Sequence, residues 1–193
     1  NALASILFGD VNPSGKLPFT FPARLEDNGA HALGEHPGDS INVKYNESIF
    51  VGYRWADKQK KTKPLFAFGH GLSYTTFAYG KATATKKSLT ADETITFTVP
   101  VKNTGSREGS EVVQLYIGDK KSALPRPIKE LKGFSKVKLA PGEEKMVSFT
   151  IDKTDLSYYD DTQNRWVAEP GAFEAFVGAS SDDIRSTVSF ELR

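Results

Sequence analysis

The chain has 193 residues, 38% hydrophobic and 25% charged, the composition of a folded globular protein rather than a disordered one. With 25 basic against 24 acidic residues the net charge is +1, so nothing electrostatic points to a nucleic acid or an anionic membrane as partner. There is no cysteine, which excludes disulfides, thiol catalysis and cysteine-based zinc sites, and no apolar run reaches membrane-spanning length.

The opening run, Asn1-Ala-Leu-Ala-Ser-Ile-Leu-Phe8, sets Leu3 with Leu7 and Ala2 with Ile6 at helical spacing, and Gly9 offers a stop. Two turns are too short to be stable alone, so the sequence is expected to begin inside a helix. Gly9-Asp-Val-Asn-Pro-Ser-Gly15 is dense in turn formers. Lys16-Leu-Pro-Phe-Thr-Phe21 reads as a short strand, with Pro18 placing it at an edge or bulge. One helix end and one strand cannot close a core. Residues 1–21 are therefore expected to end a sheet-and-helix domain of α/β type. Residues 22–47 form a long polar loop, of a length usual for functional or disordered segments. Residues 49–55 read as another strand-like run, and residues 64–74 mix aromatic side chains with the turn glycines Gly69 and Gly71. The whole of 22–76 is expected to be an interdomain linker packed on its neighbours. Its basic cluster, Lys58 to Lys63, reads as a solvated loop tip.

From Phe77 onward the pattern changes. Ile95, Phe97, Val99 and Val101 alternate with Thr94, Thr96, Thr98 and Pro100. Val113, Leu115 and Ile117 repeat the pattern, as do Val147, Phe149 and Ile151, then Phe173, Ala175 and Val177, and finally Val188, Phe190 and Leu192. Period two over short runs marks half-buried strands. Asn103-Thr-Gly105, Pro141-Gly142 and Pro170-Gly171 supply the turns between them. Further strands are expected at about 77–85, 131–139, 156–159 and 165–168, with no helix among them. Residues 77–193 are thus predicted to form an antiparallel β-sandwich of immunoglobulin or fibronectin-III type, a mainly β fold.

Few side chains suggest chemistry. Glu35, Asp39, Glu47 and Asp57 lie in the linker, and no spacing makes an acid/base pair of any two. Asp152, Asp155, Asp160 and Asp161 lack calcium-loop spacing and read as a polar loop between strands. His31 and His36 fit no zinc pattern, so no metal site is expected. His70, between Gly69 and Gly71, fits neither a phosphate loop nor a nucleophile elbow; a tight turn with its imidazole bonded to backbone is expected. Tyr45, Tyr53 and Trp55 flank the long loop, where an aromatic ring can stack on a sugar or pin a linker to a surface. Pinning is expected of Tyr53; both readings stay open for Tyr45 and Trp55. Asn46-Glu-Ser48 is a formal glycosylation sequon.

Several motifs occur together and in order. Leu7-Phe-Gly-Asp-Val-Asn-Pro-Ser-Gly-Lys-Leu-Pro-Phe-Thr-Phe-Pro22 resembles the segment that ends the second, α/β-sandwich domain of family-3 glycoside hydrolases. Tyr45-Asn-Glu-Ser-Ile-Phe-Val-Gly-Tyr-Arg-Trp55 is similar to that family's linker motif, and Pro64-Leu-Phe-Ala-Phe-Gly-His-Gly-Leu-Ser-Tyr74 to its C-terminal signature. Val101-Lys-Asn-Thr-Gly105, Leu131-Lys-Gly-Phe134 and Glu169-Pro-Gly-Ala-Phe173 look like its fibronectin-III-like third domain. The resemblance implies retaining hydrolysis of β-linked sugars, most often by a β-glucosidase and also by a β-xylosidase, without a cofactor. It also implies that the nucleophilic aspartate and the acid/base glutamate lie in upstream domains, so no catalytic residue is assigned in this chain. Tyr45, Glu47 and Trp55 are the candidate substrate-binding residues. Ser48 stands where the family motif often has glycine, and Trp55 where it often has tyrosine. The expected partners are the upstream barrel and α/β-sandwich domains and a β-linked glucoside, with a homodimer allowed. The expected location is the bacterial periplasm or the exterior. The rival reading is a free-standing carbohydrate-binding or adhesion module.

Overall fold

The computed structural model describes residues 1–39, 41–59 and 63–193. Lys60, Lys61 and Thr62, half of the basic cluster, lie outside the described residues. The first 76 residues hold a six-residue helix α1 (Ala2–Leu7), a 3-10 turn at Leu25–Asp27, a one-turn helix α2 (Gly29–Ala32) and helix α3 (Tyr53–Gln59). Then come β1 (Phe77–Tyr79), β2 (Thr83–Ala84), β3 (Ser88–Leu89), β4 (Ile95–Asn103), β5 (Gly109–Asp119), β6 (Glu130–Leu139) and β7 (Glu144–Ile151). A single turn α4 (Lys153–Leu156) leads to β8 (Tyr158–Asp160), β9 (Arg165–Val167), β10 (Gly171–Gly178) and β11 (Ile184–Leu192).

Two sheets face each other. In one, β4 is flanked by β7 on one side and by β1 and β2 on the other; the second runs β3-β11-β10-β5-β6. The alternation in β4 explains the layering. Ile95, Phe97, Val99 and Val101 point inward and are buried, while the hydroxyls of Thr96 and Thr98 pair with Thr150 and Ser148 on the outer face at 2.8 Å. The Phe190 ring joins the sheets, 5.2 Å from Phe97 and 5.6 Å from Phe173 between centroids. Burying such side chains contributes about 1.5–3 kcal/mol each, which chain entropy largely offsets.

The Asn103-Thr-Gly105 turn holds a buried polar hub. The Asn103 amide donates to the carbonyls of Arg107 at 2.7 Å and Leu139 at 3.0 Å. Its oxygen accepts from Thr75 Oγ1 at 2.6 Å and from the Gly105 N–H at 3.0 Å. A side chain at Gly105 would place its Cβ 2.3 Å from Thr75 Oγ1, so glycine is required there by close approach.

Four local expectations are corrected. Residues 16–21 do not form a strand: a Phe21–Phe66 bridge and the Leu17–His70 backbone pair, at 2.8 Å, tie them to 65–70, and Pro18 has no N–H to continue the ladder. Residues 49–55 are not strand-like; Ser48 and Gly52 take positive φ and turn the chain into α3 at Tyr53. The sandwich is interrupted by α4, because Asp152 and Asp155 form a reciprocal capping box around Lys153–Leu156. The acidic cluster there is structural in its other half too, since Asp160 accepts from the backbone and side chains of Thr162 and Gln163. His70 sits in the expected turn, with Gly69 at φ 79°, but its ring lies 5.3 Å from the Phe66 ring. No imidazole hydrogen bond to backbone occurs among the described residues.

Candidate functional site

The side chains of Gln114 and Tyr116 project from the outer face of β5, yet both are buried. Residues 53–70 lie across them. The Tyr53 ring packs 5.0 Å from Phe68 and 5.8 Å from Tyr116, and Gln114 donates to the Gly69 and Ala179 carbonyls at 3.3 and 2.8 Å. This burial pushes the Tyr116 hydroxyl pKa far up. Tyr53 is therefore the pin that its sequence position suggested.

Helix α3 grips the sandwich along one face. Asp57 is four residues from Tyr53 and three from Arg54, and the three meet consecutive residues Lys129 to Leu131, where the chain enters β6. The Tyr53 hydroxyl accepts the Leu131 N–H at 3.0 Å, Arg54 pairs with Glu130 at 3.0 Å, and Asp57 pairs with Lys129 at 2.6 Å. Glu130 also binds Arg126 at 3.0 Å, and Arg126 binds Asp119 at 3.4 Å. A chain of alternating charges thus runs from the helix into the sandwich. Burial raises the Asp57 pKa, with Lys129 opposing, and burial lowers that of Lys132 beside this network.

Trp55 points the other way. Its indole N–H donates to the Asp27 carbonyl at 3.1 Å, and the side chain is only 6% exposed. A Cβ built on Gly29 would lie 3.1 Å from the Trp55 ring and 3.4 Å from Glu47 Cβ, so the absence of a side chain at Gly29 lets the three segments meet. Glu47 sits in a turn closed by the Ser48 N–H to Tyr45 carbonyl bond at 3.0 Å and the Phe50 N–H to Glu47 carbonyl bond at 3.0 Å. Together Thr20, Gly29, Glu47, Phe50, Gly52 and Trp55 wall a cavity of about 60 Å³. Among the described residues, two buried side-chain polar atoms lack a hydrogen-bond partner, Thr20 Oγ1 and Glu47 Oε2, and both belong to residues lining this cavity.

The three sequence candidates are therefore separated by environment. Glu47 and Trp55 come together at the cavity. Tyr45 is 77% exposed and outside its lining. The residues that the sequence did not single out, Thr20, Gly29 and Phe50, come from three different segments and meet only through tertiary packing. The cavity is small: sites for whole ligands run to about 300–1,000 Å³, so this one takes a few atoms rather than a pyranose ring. No group of three or more His, Asp or Glu side chains among the described residues is placed to hold a metal.

A two-sheet sandwich with a preceding segment strapped across its outer face defines a fibronectin-III-like module. Residues 111–181 match the fibronectin type III-like domain, and residues 1–74 match the glycosyl hydrolase family 3 C-terminal domain. The chain belongs to glycoside hydrolase family 3 and corresponds to the C-terminal part of its relatives' sequences. It is 55% identical over 192 residues, 98% of its length, to beta-glucosidase BoGH3A of Bacteroides ovatus, and covers 26% of that protein. It is 50% identical to thermostable beta-glucosidase B of Acetivibrio thermocellus over 95% of its length and 24% of that protein. The solved structure of DesR, a beta-glucosidase from Streptomyces venezuelae in complex with D-glucose, superposes over the whole chain and 24% of its own, with TM-score 0.91 and 40% identity. The GH3 beta-glucosidase of Bifidobacterium adolescentis gives TM-score 0.90 at 38% identity, over 99% of this chain and 27% of its own. The chain thus spans about a quarter of the length of the relatives it matches.

Proposed function

We propose that this chain is the C-terminal portion of a retaining, exo-acting β-glycosidase, with a β-glucoside as substrate and a β-xyloside as second choice, and that it supports the chemistry without performing it. The observation that carries this reading is 55% identity to a beta-glucosidase over 98% of the chain. The structure supports the supporting role, because four of its shielded carboxylates have structural partners. Asp57 and Glu130 clamp α3, Asp119 holds Arg126, and Glu111 pairs with Lys16 at 2.9 Å. A retaining mechanism needs two carboxyl groups about 5–5.5 Å apart across the scissile bond; these are assigned to the upstream portion.

In this reading residues 1–21 complete the α/β domain, 22–76 form the linker and 77–193 the third domain. Tyr45, exposed on the loop, touches the edge of the sugar site, and Glu47 and Trp55 hold that loop in place. Secretion or a periplasmic location and a homodimer belong to the same proposal, to be checked by cell fractionation and sedimentation of the complete enzyme. The test of function is hydrolysis of a chromogenic β-glucoside by the chain alone and mixed with the upstream portion. Activity only on mixing is expected; turnover by the chain alone overturns the supporting role.

A further inference from the structure

A carboxylate oxygen buried without a donor is costly, because ionised groups lose their hydration and recover it only through hydrogen bonds or a counter-charge. Glu47 Oε2 is in this position among the described residues, and Thr20 Oγ1 beside the same cavity is a second unpartnered atom. Two such atoms at one cavity offer an acceptor pair to a hydrogen-bond donor. The cavity's volume of about 60 Å³ fits the head of one side chain. Its walls suit a cation, since they combine a carboxylate with the rings of Phe50 and Trp55. These rings already attract one ammonium: Lys58 Nζ lies 4.1 Å from the Phe50 centroid and 5.9 Å from that of Trp55. Lys58 does not line the cavity; Lys63 does, yet it gives Glu47 Oε2 no hydrogen bond.

We infer that the cavity is a latch socket, filled in the complete enzyme by a lysine or arginine head from the upstream portion of the same polypeptide. This rests on reading the chain as the C-terminal portion of a longer enzyme, though not on which glycoside that enzyme cleaves. The argument for an occupant from the same chain is length. Relatives are about four times as long as this segment, so about three quarters of such a polypeptide is available to supply the occupant. The socket draws its walls from residues 20, 29, 47, 50 and 55, which reach the sandwich through α3. A basic side chain seated in it fixes the upstream domains against the third one, and the long loop with them.

The experiment is chemical footprinting of the complete enzyme, wild type against Glu47→Gln. Lysines are acetylated and arginines treated with a dicarbonyl reagent, and each site's rate is read by peptide mass spectrometry. The result expected is that one lysine or arginine upstream of this segment, protected in the wild type, reacts at least tenfold faster in the variant. Thr20→Val, which removes only the hydroxyl, exposes the same residue to a lesser degree, and serves should Glu47→Gln fold poorly. The latch is overturned if neither variant unmasks an upstream basic residue. It is equally overturned if the group unmasked is Lys58, Lys60, Lys61 or Lys63 of the linker itself. A raised Michaelis constant with no change in the footprint overturns it in favour of a sugar subsite. Loss of β-glucosidase activity by the wild-type complete enzyme would instead sink the functional reading and leave the footprint interpretable.

Discussion

At the scale of single residues, burial divides side chains that look alike in the sequence. The chain has two tryptophans. Trp55 is walled in by Gly29 and Glu47, whereas Trp166 on β9 is 69% exposed, edge-on to Tyr159 at 5.7 Å. Trp166→Phe should therefore leave a protein whose remaining tryptophan emits at short wavelength and resists acrylamide. Trp55→Phe should leave one that emits near the solvent value and is readily quenched. A similar quenching constant for both variants would contradict the packing. Gly29→Ala tests the same contact from the other side: a methyl 3.1 Å from the indole must displace it, costing about 1–3 kcal/mol in thermal unfolding. Tyr45 belongs to a different class. Its exposure leaves stability unaffected, so Tyr45→Ala in the complete enzyme should raise the Michaelis constant for a β-glucoside without lowering the melting temperature. Unchanged kinetics would remove Tyr45 from the substrate's edge.

At the scale of elements, the decisive piece is α3. Its clamp on β6 combines a neutral hydrogen bond, a half-exposed ion pair and a more buried one. Tyr53→Phe leaves the Leu131 N–H without its acceptor, a loss of about 1–3 kcal/mol where the group stays dry. Asp57 gives the clamp a pH signature. Because burial raises its pKa in the folded state, the folded protein binds the proton more tightly than the unfolded chain does. The contribution of Asp57 to stability is therefore greatest below the unfolded value and declines as pH rises through the folded one. Comparing wild type with Asp57→Asn by thermal unfolding across that interval, the wild type's relative stability should fall with rising pH. A rise would mean that Lys129, not burial, dominates the carboxyl.

These elements also show where sequence reasoning succeeds and where it stops. The strands of the sandwich are legible because period two at Ile95, Phe97, Val99 and Val101 is both the sequence pattern and the physical cause of burial. Helix α3 is not legible as such. Aromatic and β-branched residues from Ile49 to Trp55 suit a strand, but positive φ at Ser48 and Gly52 and the tertiary grip of Tyr53 and Asp57 decide for helix. The cavity is half legible. Glu47, Phe50 and Trp55 lie in one recognisable motif and Thr20 in another, whereas Gly29 lies in neither, and nothing local brings the two motifs and Gly29 together.

At the scale of the whole molecule, the two ends of the chain are stabilised unequally. The sandwich buries an apolar core that joins both sheets. Helix α1 has no buried residue, and Leu3, Leu7 and Phe8 are each at least 70% exposed. Six residues are far below the length at which a helix is stable alone in water. What holds α1 is polar and peripheral: the Tyr74 hydroxyl donates to the Ile6 carbonyl at 2.7 Å, and Arg107 to the Gly9 carbonyl at 2.6 Å. Contacts of this kind contribute about 0.5–1.5 kcal/mol each, too little to order a helix whose apolar side chains face water. In the chain 1–193 alone the amides of residues 5–8 should therefore exchange with solvent deuterium almost as fast as in an unstructured peptide, while those of β4, β5 and β10 stay protected. In the complete enzyme the same amides should be protected, because an upstream layer covers Leu3, Leu7 and Phe8. Hydrogen exchange on both proteins separates the cases. Protection of α1 in the short chain would show that its own contacts suffice. Absence of protection in both would show that no upstream domain packs there, contrary to the architecture proposed for the complete enzyme.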